Sequence, residues 1–421
     1  MMKSVFPILF AVVLLSLSAC TPTAQPLPTL VPQATIPLEL PTLFPSPTAT
    51  TPSTPTPLFT PTVTPYPSLT VTSVSVPPAL VLNPHVTFTP THLLVLTNPS
   101  GTTGNTQLVA YPIEENGTPQ TAMGVILIDL PSTPQCQLSG FNLSPDSHYL
   151  AVRNRCGDGV IDLTTQPVDS LSVPAQRFLS WSPDGEWLLM FETSWREIWL
   201  VPVQGGEPTY LDMLEEGYTA VFTPDGQEII YATYKGLGFG SSLGVFDLTS
   251  GDLTVQQTEP DRIFSRPIWS PDGQYLVYIL MPDSSTPFTT GELWLADAQG
   301  QPIRRLAEGV DTGHGYHPIW IEDGTKVVYV HRENPMGSEA DYEAEALHSN
   351  LYEVAIAGGD PMPLTQFSET LVKDPAWLPG AELLAFSAGD QVWVVRPGRS
   401  PERLDLPAAA NGYPLWITLA Q

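Results

Sequence analysis

The chain has 421 residues, with 16 Lys or Arg against 43 Asp or Glu and a formal net charge of −27. Nucleic-acid binding relies on clustered basic side chains that displace counterions, and an acid excess of more than twofold argues against it. A hydrophobic fraction of 42% excludes a wholly disordered chain. The 47 prolines, however, are about twice the ordinary share, which points to a segment outside any core.

The first element is an export signal over residues 1–19. Lys3 supplies a positive start, and residues 5–17 are apolar apart from Pro7 and Ser16. This run is too short to cross a hydrocarbon layer of about 30 Å. It has the proportions of a secretory h-region leading to small residues. Leu17, Ser18, Ala19 and Cys20 resemble the bacterial lipobox. That resemblance implies cleavage before Cys20, a thioether lipid on Cys20 and acylation of the new N-terminus. Several acyl chains anchor a protein stably where one does not. The alternative is a plain secreted chain with a chance cysteine at the cleavage site. No later apolar run reaches about 18 residues, so no membrane span is expected in the mature chain.

Residues 20–82 read as a lipidated cysteine followed by a tether. Positions 21–80 hold 16 Pro and 15 Thr and one charged side chain, Glu39. Proline removes backbone donors and favours extended geometry, so this disordered segment is a semi-rigid spacer with no core of its own.

From residue 83 to 421 a motif returns. It reads FTPT at 88–91, LSPD at 143–146, WSPDG at 181–185, FTPDG at 222–226, WSPDG at 269–273, WIEDG at 320–324 and WLPG at 377–380. Each copy is followed by a short apolar run, and most by a second one. Successive aromatic markers from Trp181 lie 41, 47, 51 and 57 residues apart, close to the period of a four-stranded propeller blade. Ser or Thr, Pro, Asp and Gly fill the places of a type I turn, with Pro setting φ and Gly taking the left-handed position. Such a turn between β-rich runs marks a hairpin.

The WSPDG pattern resembles the WD-like repeat of TolB-type β-propellers, over roughly four fifths of the chain. The resemblance implies an all-β fold of four-stranded blades. Seven units are counted, with six or eight left open. Pro414, Leu415 and Trp416 read as a further inner strand that closes the ring beside the first unit. The resemblance says little of function, because such propellers serve as scaffolds, receptors and enzyme domains alike.

Cys136 and Cys156 flank the turn at 144–147, and pairing Ser144 with His148 sets them opposite each other. Opposed positions in an antiparallel pair are within disulfide reach, and export permits oxidation. The alternative is two free thiols, and a one-residue bulge would break the register.

Catalytic signatures are weak. The GSSLG at 240–244 matches G-x-S-x-G, but a strand follows where a nucleophile elbow needs a helix. His314 and His317 precede the inner strand at Trp320, and His331 follows the next strand. Two such His could share a metal, but no third ligand can be assigned. The turn aspartates Asp146, Asp184, Asp225 and Asp272 are expected to cap their own turns. The long loops 233–242, 281–291 and 331–350 lie on one face of a propeller, and the last carries Glu333, Glu339, Asp341, Glu343 and Glu345. Long loops on a rigid scaffold are where binding resides. This acidic rim, with His314, His317 and His331, is the expected binding face for a cationic, protein or glycan partner.

The sequence therefore reads as a monomeric, lipid-anchored, extracytoplasmic scaffold of the bacterial envelope, with no nucleic-acid partner. No cofactor is expected; Ca²⁺ or a transition metal would need carboxylate or His ligands. The alternative is a propeller enzyme, a polysaccharide lyase or hydrolase, with a His site at the channel mouth.

Overall fold

The second strands of the repeats are apolar at nearly every position, as in residues 188–190 and 229–233. That pattern needs cover on both faces of a sheet, and a ring of sheets stacked face to face supplies it. The computed structural model describes residues 81–82, 91–97, 105–114, 117–131, 138–154, 159–163, 169–172, 177–192, 197–211, 217–234, 236–312, 316–343, 346–378, 381–389, 391–406 and 413–418. All lie in one unit, Val71–Gln421.

The described strands form seven antiparallel blades. Blade 2 runs Leu138–Leu143, Tyr149–Asn154, Gly159–Asp162 and Asp169–Ser172, inner strand first. Blade 3 (inner strand Arg177–Trp181), blade 4 (Gly217–Phe222), blade 5 (Arg262–Trp269), blade 6 (Ile319–Ile321) and blade 7 (Val372–Leu378) follow the same order. Blade 1 is assembled from both ends of this unit. The C-terminal strand Tyr413–Thr418 is its inner strand and pairs with Thr91–Thr97. Val81–Leu82, just ahead of the expected boundary at 83, add a short strand at its outer edge.

Closure is visible in the cores. Among the described residues seven apolar clusters form, one between each pair of neighbouring blades. The last joins Ala385 and Val392 of blade 7 to Leu93 and Val95 of blade 1, so the cycle has no gap. A fully buried Leu contributes about 1.5–3 kcal/mol, and each cluster holds several buried aliphatic side chains.

The repeat is exact in register. The first residue of each motif in blades 2–7 pairs with the residue seven positions on: Leu143 with Leu150, Trp181 with Leu188, Phe222 with Ile229, Trp269 with Leu276, Trp320 with Val327 and Trp377 with Leu384. Trp320 also donates Nε1–H to the Ile268 carbonyl (3.2 Å), as Trp181 does to Asn142 (3.4 Å), which levels one blade against the next.

The turns explain their own sequence. In blade 3, Ser182 Oγ donates to Asp184, which accepts from the Glu186 N–H, while the Trp187 N–H donates to Ser182 Oγ. Ser144 with Asp146, Thr223 with Asp225 and Ser270 with Asp272 repeat this pattern. The aspartates thus cap their turns. The hydrogen bond from Thr223 holds the Asp225 carboxylate below its ordinary range.

Candidate functional site

Antiparallel alternation puts the SPDG-type turns on one face and the loops between second and third strands on the other. The three long loops of blades 4, 5 and 6 therefore emerge side by side at 234–240, 283–289 and 333–348. They are stitched to one another. In the blade 4 loop, Gly236, Gly238 and Gly240 all have positive φ, which turns two N–H groups outward. Gly238 and Gly240 donate to Asp283 Oδ2 of the blade 5 loop at 2.7 and 2.9 Å. The Phe288 N–H then donates to the Asp341 carbonyl of the blade 6 loop at 3.1 Å.

The blade 6 loop is clamped from beneath. The Arg332 side chain is fully buried and donates to Phe288 O, Asn334 O, Pro335 O and Ser338 Oγ. It also pairs with Asp341 Oδ1 at 2.5 Å. Asp341 Oδ2 accepts from the Gly337 N–H at 2.8 Å. That backbone hydrogen bond, with Arg332, holds the carboxylate below its usual range. Both oxygens of Asp341 thus act inside the loop, whereas Glu333 and Glu339 are exposed on the rim. Glu333 accepts from Asn350 Nδ2 at 3.1 Å.

Apolar side chains stand on this ledge. Leu237 and Phe239 are 53% and 72% exposed on the blade 4 loop, and Met336 and Tyr342 are 51% and 67% exposed on the blade 6 loop. The loop lengths pointed to this face, but only its acidic residues and histidines were named from sequence, and these four were missed.

The histidines separate. His317 lies in the connection into the blade 6 inner strand, and Arg266 of the blade 5 inner strand donates to its Nε2 at 2.9 Å. His331 ends the second strand of blade 6, packed on Tyr352 with ring centroids 4.5 Å apart. Burial pushes it below the ordinary histidine value, against the pull of Glu333. Its strand position pairs with Val310, the bridge that joins the sheets of blades 5 and 6. The two rings are held by different neighbours. Among the described residues no group of three His, Cys, Asp or Glu is placed to hold a metal ion. Cys20, Cys136, Cys156 and His314 lie outside the described residues. Blade 2 pairs Leu143 with Leu150, which sets Ser144 against Tyr149 and not the expected His148, and its register slips between Leu138 and Gly140, so that Leu138 faces Asn154. In the GSSLG segment the motif's serine, Ser242, is buried in the third strand of blade 4 with its Oγ 3.2 Å from Thr258 Oγ1, while Ser241 Oγ donates to Arg262 O and accepts from the Phe264 N–H of blade 5.

No family model matches the chain, and no curated protein matches it. Among solved structures it is similar to hydrazine synthase of Kuenenia stuttgartiensis, at 19% identity over 62% of this chain and 77% of that one, with a TM-score of 0.48. It is similar to TolB from Acinetobacter baumannii at 16% identity, over 78% and 83% of the two chains, with a TM-score of 0.40. Oligogalacturonate lyase from Vibrio parahaemolyticus matches at 11% identity, over 72% and 91%, with a TM-score of 0.45. The class of protein, a seven-bladed β-propeller closed by its C-terminal strand, rests on the chain's own strand order and inter-blade cores.

Proposed function

We propose that this chain is a non-enzymatic binding propeller, lipid-anchored through Cys20 on the extracytoplasmic side of a bacterial membrane, with residues 1–19 as signal, 20–82 as tether and 83–421 as the presented domain. The partner is a protein bearing basic and apolar side chains. One observation carries this reading: three loops from three blades are hydrogen-bonded into a ledge whose exposed Leu237, Phe239, Met336 and Tyr342 stand beside exposed Glu333 and Glu339. Aromatic and Met side chains ringed by polar groups are the composition of binding hot spots. An ordered ledge also loses less entropy on binding than a loose loop.

The test is a double variant, F239S/Y342S, with the full chain in its own membrane. Affinity capture with wild type is expected to retain a partner that this variant loses by at least about tenfold, while its melting temperature stays the same. Equal retention by both chains removes the ledge as the binding face. Anchoring is tested separately: wild type should incorporate labelled palmitate and partition with membranes, and C20S should do neither. A disulfide between Cys136 and Cys156 is proposed with it; two free thiols in unreduced protein would refute that pairing.

A further inference from the structure

The register that aligns the blades also aligns the residue three places before each marker. In blades 2, 3 and 4 that residue is Gly140, Phe178 or Thr219. In blades 5, 6 and 7 it is Arg266, His317 and Asp374, each followed by proline. The ladder slips at this point in blades 5 and 7. Arg266 and Asp374 there take φ of 55° and 54°, a conformation uncommon for non-glycine residues and found where a side chain is aimed for use. The inner strands leave one edge unpaired toward the ring axis; Arg266 lies mid-strand, Asp374 in the first half of its strand and His317 just ahead of its strand.

Asp374 is the unusual member. Its side chain is 10% exposed and Lys373 Nζ lies 4.0 Å from its Oδ2, yet Oδ2 has no hydrogen-bond partner. Burial raises the carboxyl to about 8, and the Lys373 ammonium offsets this only in part. At neutral pH it therefore holds its proton and is an O–H donor. In a chain with 43 acids and 16 bases, one level of three adjacent blades thus collects an arginine, a histidine that braces it, a lysine and a hydrogen-bond-donating acid.

We propose that this level of the channel is a binding site for an organic carboxylate, with Arg266 and Lys373 supplying charge, His317 orienting Arg266, and Asp374 donating a hydrogen bond. A single guanidinium, an ammonium and one O–H suit a singly charged, planar acceptor. The carboxylate enters from the ledge side, as a small acid or as the free end of a chain. This site goes beyond the protein-binding ledge and stands or falls without it.

The sign of the pH dependence follows from Asp374. Above about 8 it loses its proton and repels an anion, so affinity is full below that value and falls above it. Stability moves the same way. The folded pKa is raised above the unfolded one, so the contribution of Asp374 is complete below the ordinary carboxylate range and is lost as pH climbs toward 8.

Calorimetric titration of the full mature chain in detergent micelles tests this with two probes. Glucuronate represents a small acid and acetyl-trialanine with a free C-terminus represents a chain end; glucose and the trialanine amide are their blanks. At pH 6.5 at least one probe should bind and its blank should not. Affinity in wild type should fall at least about tenfold by pH 9, and D374N, which keeps a donor but does not titrate, should show a flat profile. R266Q and K373Q should each weaken binding about tenfold, whereas F239S/Y342S should not change it. D374N should also gain on wild type in melting temperature as pH rises from 5 to 8 and hold that gain at pH 9. If D374N fails to fold, the loss in R266Q carries the comparison. Silence of both probes, inorganic phosphate binding in their place, or an unchanged affinity in R266Q would overturn the assignment.

Discussion

Two buried carboxyl groups near the loop-bearing face have opposite chemistry. Asp341 has a guanidinium at 2.5 Å and a backbone N–H at 2.8 Å, so it is held as an anion. Asp374 is held neutral by burial, which the lysine at 4.0 Å offsets only in part, and its Oδ2 has no hydrogen-bond partner. Burial raises Asp374, whereas the Gly337 N–H and Arg332 hold Asp341 down. Removing the anion from the first should leave the fully buried Arg332 without its counter-charge. D341A is therefore expected to loosen residues 333–348, read as at least about a tenfold faster proteolytic cut in that loop, with the rest of the ring intact. The folded pKa of Asp341 is depressed, so its stabilising effect is present above the ordinary carboxylate range and lost as pH falls through it. The wild-type loop should loosen in acid in the same way.

At the scale of the turn, glycine serves two ends. Gly273 has φ of 68°, and a Cβ placed there would come within 2.9 Å of Pro224 in the preceding blade's turn. The proline and glycine of successive motifs thus touch across blades as well as shaping their own hairpins. Gly251 has a similar φ, 73°, with open space around it. G251A should cost about 1 kcal/mol, the price of the backbone conformation alone. G273A should cost about 2–3 kcal/mol, because backbone strain and overpacking add. Chemical denaturation of the two variants checks the difference; equal costs would show that the blade-to-blade contact is slack.

For the whole molecule, stability depends on closing the ring. The strand Tyr413–Thr418 is the inner strand of blade 1, and the cores on either side of that blade hold Leu93, Val95, Leu94 and Leu96. Truncation after Leu406 is expected to remove cooperative melting or lower the melting temperature by more than about 10 °C. A truncated chain that melts like wild type would mean that the blades are stable as an open stack.

Much of this was legible in the chain. Ser or Thr, Pro and Asp dictate turn geometry locally, so the four motifs that carry them marked the hairpins of blades 2 to 5. Runs that are apolar at every position demanded cover on two faces, and the repeat length fitted a blade. Pro414, Leu415 and Trp416 could be read as a closing strand because they repeat the inner-strand pattern. The long loops were visible as wide spacings between strands, read as 233–242, 281–291 and 331–350. What tertiary structure alone decided is which side chains meet. Asp341 was expected on the rim with Glu339, but Arg332 draws it inward. His317 and His331 are close in sequence, but an inner strand holds one and the blade 5–6 junction holds the other. Asp374 carried no signal, since a lone Asp before Pro is ordinary in sequence. Its character comes from atoms contributed by residues far along the chain, and local sequence determines backbone preference but not the company a side chain keeps.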